Sequence, residues 1–280
     1  MEENDYQLLI VGLPEAGKTS FIHVLDDLLQ RPQSPDALRS YGLAPDRTYL
    51  ERDKEKFRGG KKIVHTHRSL EEAPPELWFE DPKTARKGRL FLPDLRGEIF
   101  QDQWIDRRWA ESYRDNLKNV RGILLFIRAD TPASNQELLG VMVNMRKDAR
   151  KPLSWEPRKA SPQVQLVDVL QFIDTRGTIT RPMKLAVMVS AWDTVDKPDN
   201  MQPKDPASFV TREWPLLDQY LRANSATYLS RVYGVSALGG TKEELRELSR
   251  LPPQKRARIV DGAVSGNDLT RPLRWMLSLD

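Results

Sequence analysis

Glycine, lysine and threonine fall at a spacing suited to a phosphate chain in Gly12-Leu13-Pro14-Glu15-Ala16-Gly17-Lys18-Thr19-Ser20. Glycines let a backbone wrap tightly and turn successive N–H groups toward one anion. The Lys18 ammonium would neutralise charge on the β- and γ-phosphates, and the Thr19 hydroxyl would ligate the accompanying Mg2+. Glu15, Ala16 and Ser20 complete the loop and the first turn of the helix behind it, whose positive end faces the anion. A Gly-x-x-x-x-Gly-Lys-Ser/Thr loop between an apolar strand and a helix is a specific signal for a nucleoside polyphosphate, but it does not say which one. Pro14 and Glu15 crowd and charge the part of the loop nearest the last phosphate, which suits an anchor better than a fast catalyst.

Later stretches narrow the choice. In "RLFLPDLRGEIF", Asp94 stands just beyond an apolar run, where a carboxylate can hold Mg2+ through water. Gly97 follows three residues on and can offer its N–H to a γ-phosphate with no Cβ in the way. A plain Mg2+-holding aspartate followed by a turn is the competing reading. "KLAVMVSAWDTVD" places Asp193 after another apolar run. A carboxylate accepts from both N1–H and N2–H of guanine, and adenine presents no such donor pair. Charged hydrogen bonds contribute about 1.5–3 kcal/mol each, so two give selection on the order of 10²–10⁴. "YGVSALGG" then supplies Ser236, Ala237 and Leu238, whose backbone amides suit the guanine O6.

These residues need a scaffold that brings strand ends together. Four apolar runs read as buried strands, at 6–11, 88–93, 122–127 and 184–189. "ELWFED" (76–81) alternates and should pair with 88–93 as a hairpin, and 226–235 is a sixth candidate. Helical patterns fall between them at 21–29, 103–117, 136–146, 164–173, 214–223 and 269–277. Strands alternating with helices imply an α/β three-layer sandwich. We expect a mostly parallel, six-stranded sheet with one antiparallel edge strand. Residues 30–75 and 130–182 are longer than ordinary connections, and the second reads as a helical insertion on one edge of the sheet.

Composition excludes other classes. With 44 basic and 40 acidic residues the net charge is +4, too balanced for a nucleic-acid-binding surface. Zero cysteines rule out disulfides and thiolate metal sites and fit a cytoplasmic protein. No run approaches the roughly 18 to 20 apolar residues of a membrane span, and the acidic start leads into a strand rather than a secretory signal.

The ordered set GLPEAGKT, DLRGE, SAWD and VSAL resembles the G1, G3, G4 and G5 motifs of Ras-like, translation-factor-class P-loop GTPases. The Asp-x-x-Gly-Glu form, the tryptophan before Asp193 and the ending "GNDLTRPLRWML" are similar to bacterial double-GTPase proteins. That resemblance implies one GTPase domain over 1–280, with 30–75 as its long switch I region. It implies GTP and GDP as ligands, Mg2+ as cofactor, and a protein partner, a second GTPase or an effector, in a bacterial conflict or immunity system. It also implies a switch I threonine on Mg2+, for which Thr66 is preferred over Thr48. His65 and His67 flank Thr66 without a third ligand at metal spacing and read as loop residues. Glu98 takes the place of the family's water-orienting glutamine, and its charge sits badly beside a γ-phosphate. With Lys18 and Gly97 it completes the candidate catalytic set. Arg47, Arg58, Arg68 and Arg96 are all possible sources of an arginine for the transition state, as is a partner. One departure stands out: the family's G4 reads Asn/Thr-Lys-x-Asp, and the lysine whose stem packs along the base is Ala191 here. Trp192 could offer an aromatic surface in its place, or pack in the core. The implied activity is slow, partner-stimulated GTP hydrolysis. The alternatives are an ATP-using P-loop ATPase or kinase, and a scaffold that holds nucleotide with little turnover.

Overall fold

The computed structural model describes residues 5–42, 76–92, 98–106, 117, 119–130, 157, 160–174, 181–195, 205–240, 244–248 and 250–278. The first half runs β1 (Asp5–Gly12), α1 (Lys18–Gln30), β2 (Arg39–Ser40), β3 (Glu76–Asp81), β4 (Arg86–Phe91), α2 (Glu98–Asp106) and β5 (Val120–Arg128). The second runs α3 (Pro162–Asp174), β6 (Met183–Ser190), α4 (Pro206–Glu213), α5 (Pro215–Ala223) and β7 (Tyr228–Ser236). It closes with α6 (Leu245–Leu248), α7 (Pro253–Arg256), β8 (Arg258–Asp261), β9 (Val264–Gly266) and α8 (Arg271–Leu277).

Side chains alternate along each central strand, and both faces of the sheet are covered. Leu9 and Val11 of β1 enter one core while Leu8 and Ile10 enter the other. The same division holds for Leu125 against Phe126 in β5 and for Val187 against Met188 in β6. Phe21 and Leu25 of α1 and Leu273 and Met276 of α8 fill one core. Phe100 of α2, Leu170 of α3, Phe209 of α4 and Leu217 of α5 fill the other. This is why the strands read as continuous apolar runs rather than half-polar ones.

The sheet has the order β2-β3-β4-β1-β5-β6-β7-β8-β9. All six expected strands are present, and β3 and β4 form the expected antiparallel hairpin. The expectation of six mostly parallel strands is nevertheless corrected: the sheet has nine strands and is mixed. Parallel pairing is confined to β4-β1-β5-β6-β7. β2, β8 and β9 extend the two edges by antiparallel pairing. Those added strands are two to four residues long, too short for a two-residue period to show. The register aligns the carboxyl ends of the parallel strands on one edge: Gly12 pairs with Phe126, Arg128 with Ser190, and Ser190 with Val235.

α2 begins at Glu98, five residues before the periodicity suggests, and residues 107–116 of that expected helix lie outside the described residues. The expected helix at 136–146 also lies outside them. Among the described residues no helix is long and apolar enough to cross a membrane.

Candidate functional site

From the end of β1 the chain turns through Gly12–Gly17 into α1. The Ala16 N–H donates to the Leu13 carbonyl at 3.3 Å, and the Phe21 N–H to the Gly17 carbonyl at 3.2 Å. Gly17 has φ 88°, and a Cβ there would lie 2.7 Å from Ser190 Oγ. Left-handed backbone and close approach both require glycine at this point. No side chain caps α1, so the amides of its first turn face the loop with the positive end of the helix dipole. Lys18 is 2% exposed and reaches back over the loop, its Nζ donating to the carbonyls of Gly12 at 2.7 Å and Leu13 at 2.9 Å. The ammonium is thereby held over the loop's own backbone. Thr19 and Ser20 are half-buried in the first turn, Ala16 is buried, and Glu15 is exposed with φ 61°.

β6 ends at Ser190, next to Gly17. Ala191, with φ 53°, then turns the chain into a single 3-10 turn at Trp192–Thr194. The Thr194 N–H and hydroxyl both donate to the Ala191 carbonyl, at 3.0 and 2.7 Å, which fixes the turn. Asp193 is half-buried, and the Ser236 hydroxyl at the end of β7 donates to its carboxylate. Burial holds the Asp193 carboxyl above its usual range, against that hydrogen bond and with a further push from Glu244 and Asp130. A partly desolvated carboxylate on a strand-end turn can take paired N–H donors from a planar ring. Ala237 and Leu238 follow Ser236, half-buried, at the same edge. Asp193 and Ser236, read from separate stretches of sequence, are thus in contact.

Trp192 is corrected. Its side chain is 1% exposed, meets Phe209 edge-on at 5.5 Å, and lies over Gly234, where a Cβ would come within 2.6 Å of the indole. The ring packs in the core and presents no surface to a base. It anchors the turn that carries Asp193.

Arg128, at the end of β5, was not among the arginines expected from sequence. Its Nη1 donates to the Glu15 carbonyl at 3.1 Å, across 113 residues of chain. The same guanidinium forms a two-pronged pair with Asp130, Nε to Oδ1 and Nη2 to Oδ2, the latter at 2.8 Å. That pairing holds the Arg128 pKa above its ordinary value, with the Glu15 and Asp193 charges adding to it. A charged pair at the end of the apolar run 122–127 was the available signal, because ligands of open α/β sheets sit beyond the carboxyl ends of strands.

Thr48, Thr66, His65, His67, Asp94, Gly97, Arg47, Arg58, Arg68 and Arg96 lie outside the described residues, and Glu98 is the first residue of α2. Among the described residues, no cluster of three acidic or histidine side chains could hold a metal ion. Thr19, with a hard oxygen in the first turn of α1, is the described residue of the expected Mg2+ set.

The chain is similar to several solved structures at low identity. One is the bacterial selenocysteine-specific elongation factor EF-Sec, with 11% identity, a TM-score of 0.39, and 88% of this chain covering 27% of that one. This chain therefore spans about a quarter of the elongation factor's length. Another is the signal recognition particle receptor SRb-GTP/SRX complex from Chaetomium thermophilum, with 15% identity, a TM-score of 0.40, and coverage of 88% and 96%. A third is the Arl6 BBS3 small GTPase from Trypanosoma brucei with bound nucleotide analogue GppNp, with 12% identity, a TM-score of 0.34, and coverage of 90% and 99%. No curated protein matches the sequence. The family model described as Double-GTPase 1 matches residues 9–276, nearly the whole chain, and the chain belongs to that family.

Proposed function

We propose that this protein binds GTP with Mg2+, hydrolyses it slowly to GDP, and reports the bound state to a protein partner through its switch loops. The observation that carries the reading is the shared edge of the parallel strands. There the Lys18 loop follows β1 and the Asp193–Ser236 pair stands at the ends of β6 and β7, with β5 between them and Ser190 against Gly17. Membership of a GTPase family supports GTP over ATP. In this reading Gly12, Glu15, Ala16, Gly17, Lys18, Thr19 and Ser20 hold the phosphates, while Asp193, Ser236, Ala237 and Leu238 read the base. Thr19, Asp94 and Thr66 would hold Mg2+, which would supply positive charge to offset the negative charge of the phosphates. Gly97 and Glu98 would face the γ-phosphate.

The whole of 1–280 then acts as one GTPase domain, with 30–75 as switch I and 130–182 as a helical insertion that contains α3. The family's name and the motif resemblance support a second GTPase as partner and a role in a bacterial conflict system. Calorimetric titration of the full chain with non-hydrolysable GTP and ATP analogues in Mg2+ tests the base. Two charged hydrogen bonds to guanine give a GTP preference of at least about 10²-fold. Tighter binding of the ATP analogue would refute the guanine reading.

A further inference from the structure

We infer that Arg128 is the platform on which the nucleobase lies, set between the phosphate loop and Asp193, in a space that Ala191 leaves open. The inference rests on the nucleotide reading above. In any nucleotide the sugar and ring occupy the interval between the phosphates and the edge of the base. Arg128 stands in that interval. Its Nη1 bonds the Glu15 carbonyl on the phosphate side, and its backbone pairs with Ser190, three residues before Asp193.

The guanidinium is also oriented. Asp130 grips it through two nitrogens and Glu15 through a third, all along its edge in the plane of the group. In-plane bonds leave the flat faces for stacking, and a guanidinium stacks on aromatic rings. The side chain keeps 39% of its surface exposed, so a face is accessible. Asp130 takes the two-pronged pair with Arg128, and Asp193 adds to it as a further charge. Two neighbours share an unusual conformation: Glu15 and Ala191 both hold left-handed backbone, at φ 61° and 53°. Backbone strain of this kind gathers at ligand sites, and here it falls on both sides of Arg128. Trp192, the other candidate for a platform, is sealed in the core.

The contact with Glu15 would also serve an arginine that merely props the phosphate loop, so the test must separate base from phosphate. Calorimetry on the full chain with GDP, GTP and inorganic tripolyphosphate does so. Arg128→Ala should weaken GDP and GTP roughly 5- to 30-fold, the range of a stacked cation, and leave tripolyphosphate unchanged. Arg128→Lys keeps the charge and the reach to Glu15 but lacks the planar face, and should show the same selective loss, smaller in size. It serves if the alanine variant does not fold. Adding Ala191→Lys to Arg128→Ala should recover part of the lost affinity by returning a side-chain stem to the same space. Equal weakening of tripolyphosphate, or no weakening of GDP, would overturn the platform. Tighter wild-type binding of ADP than GDP would overturn the guanine reading alone, and a selective loss on ADP would still uphold the platform.

Discussion

At Asp193, folding and function pull in opposite directions. Burial raises the carboxyl above its usual 3.8, so the folded chain binds that proton more readily than the unfolded chain. Stability from this group is therefore present below the unfolded value and is lost as pH rises through the folded one. At neutral pH the ionised Asp193 is a net burden on the nucleotide-free protein, relieved when N–H donors arrive. Asp193→Asn removes that burden. The nucleotide-free variant should melt no lower than wild type at neutral pH, with the difference closing as pH falls below the usual carboxylate range. The same variant should lose GTP affinity by roughly 10- to 10²-fold, since the amide accepts one hydrogen bond where the carboxylate accepts two. It should gain xanthosine triphosphate, whose O2 can accept from the new amide. Paired thermal melts and titrations check this, and an unmoved base preference would remove Asp193 from the site.

At the scale of elements, the turn carrying Asp193 is held from behind. Trp192 wedges it against Phe209 of α4 and over Gly234 of β7, so the position of the base reader depends on packing in the core below. Gly234→Ala would put a methyl 2.6 Å from the indole, with no flexible side-chain end there to give way. Overpacking of this kind costs about 1–3 kcal/mol, measurable as a lower urea midpoint. GDP affinity should fall with it while tripolyphosphate affinity holds, because the phosphate loop hangs from β1 instead. This dependence was not legible in the sequence. "SAWD" names the aspartate, but only the fold shows that the tryptophan faces inward. The six main strands were legible because burial on both faces leaves long apolar runs, whereas β2 and β9 are too short and polar to leave a pattern. Likewise the phosphate loop announces itself by contiguous residues. The Arg128–Glu15 contact spans 113 residues and exists only once β1 and β5 pair.

For the molecule as a whole, the question is what this arrangement does to a bound triphosphate. Fast GTP hydrolysis needs a positive charge at the transition state and an oriented water. Arg128, an arginine that the fold brings to the phosphate loop among the described residues, is committed to Asp130 and the Glu15 carbonyl. Glu15 itself is exposed in a left-handed conformation, placing a carboxylate at the rim of the loop rather than a cation. The isolated chain should then turn over no faster than GTPases working without a supplied arginine, on the order of 10⁻⁴ to 10⁻³ s⁻¹ in single-turnover assays. Lys18→Ala should bring phosphate release to the uncatalysed background, since it removes the ammonium held over the loop. Equal rates in wild type and Lys18→Ala would instead support a scaffold that holds nucleotide without turnover. A wild-type rate of about 10⁻² s⁻¹ or more would mean that an arginine in cis completes the site, and the need for a partner to supply one would fall away.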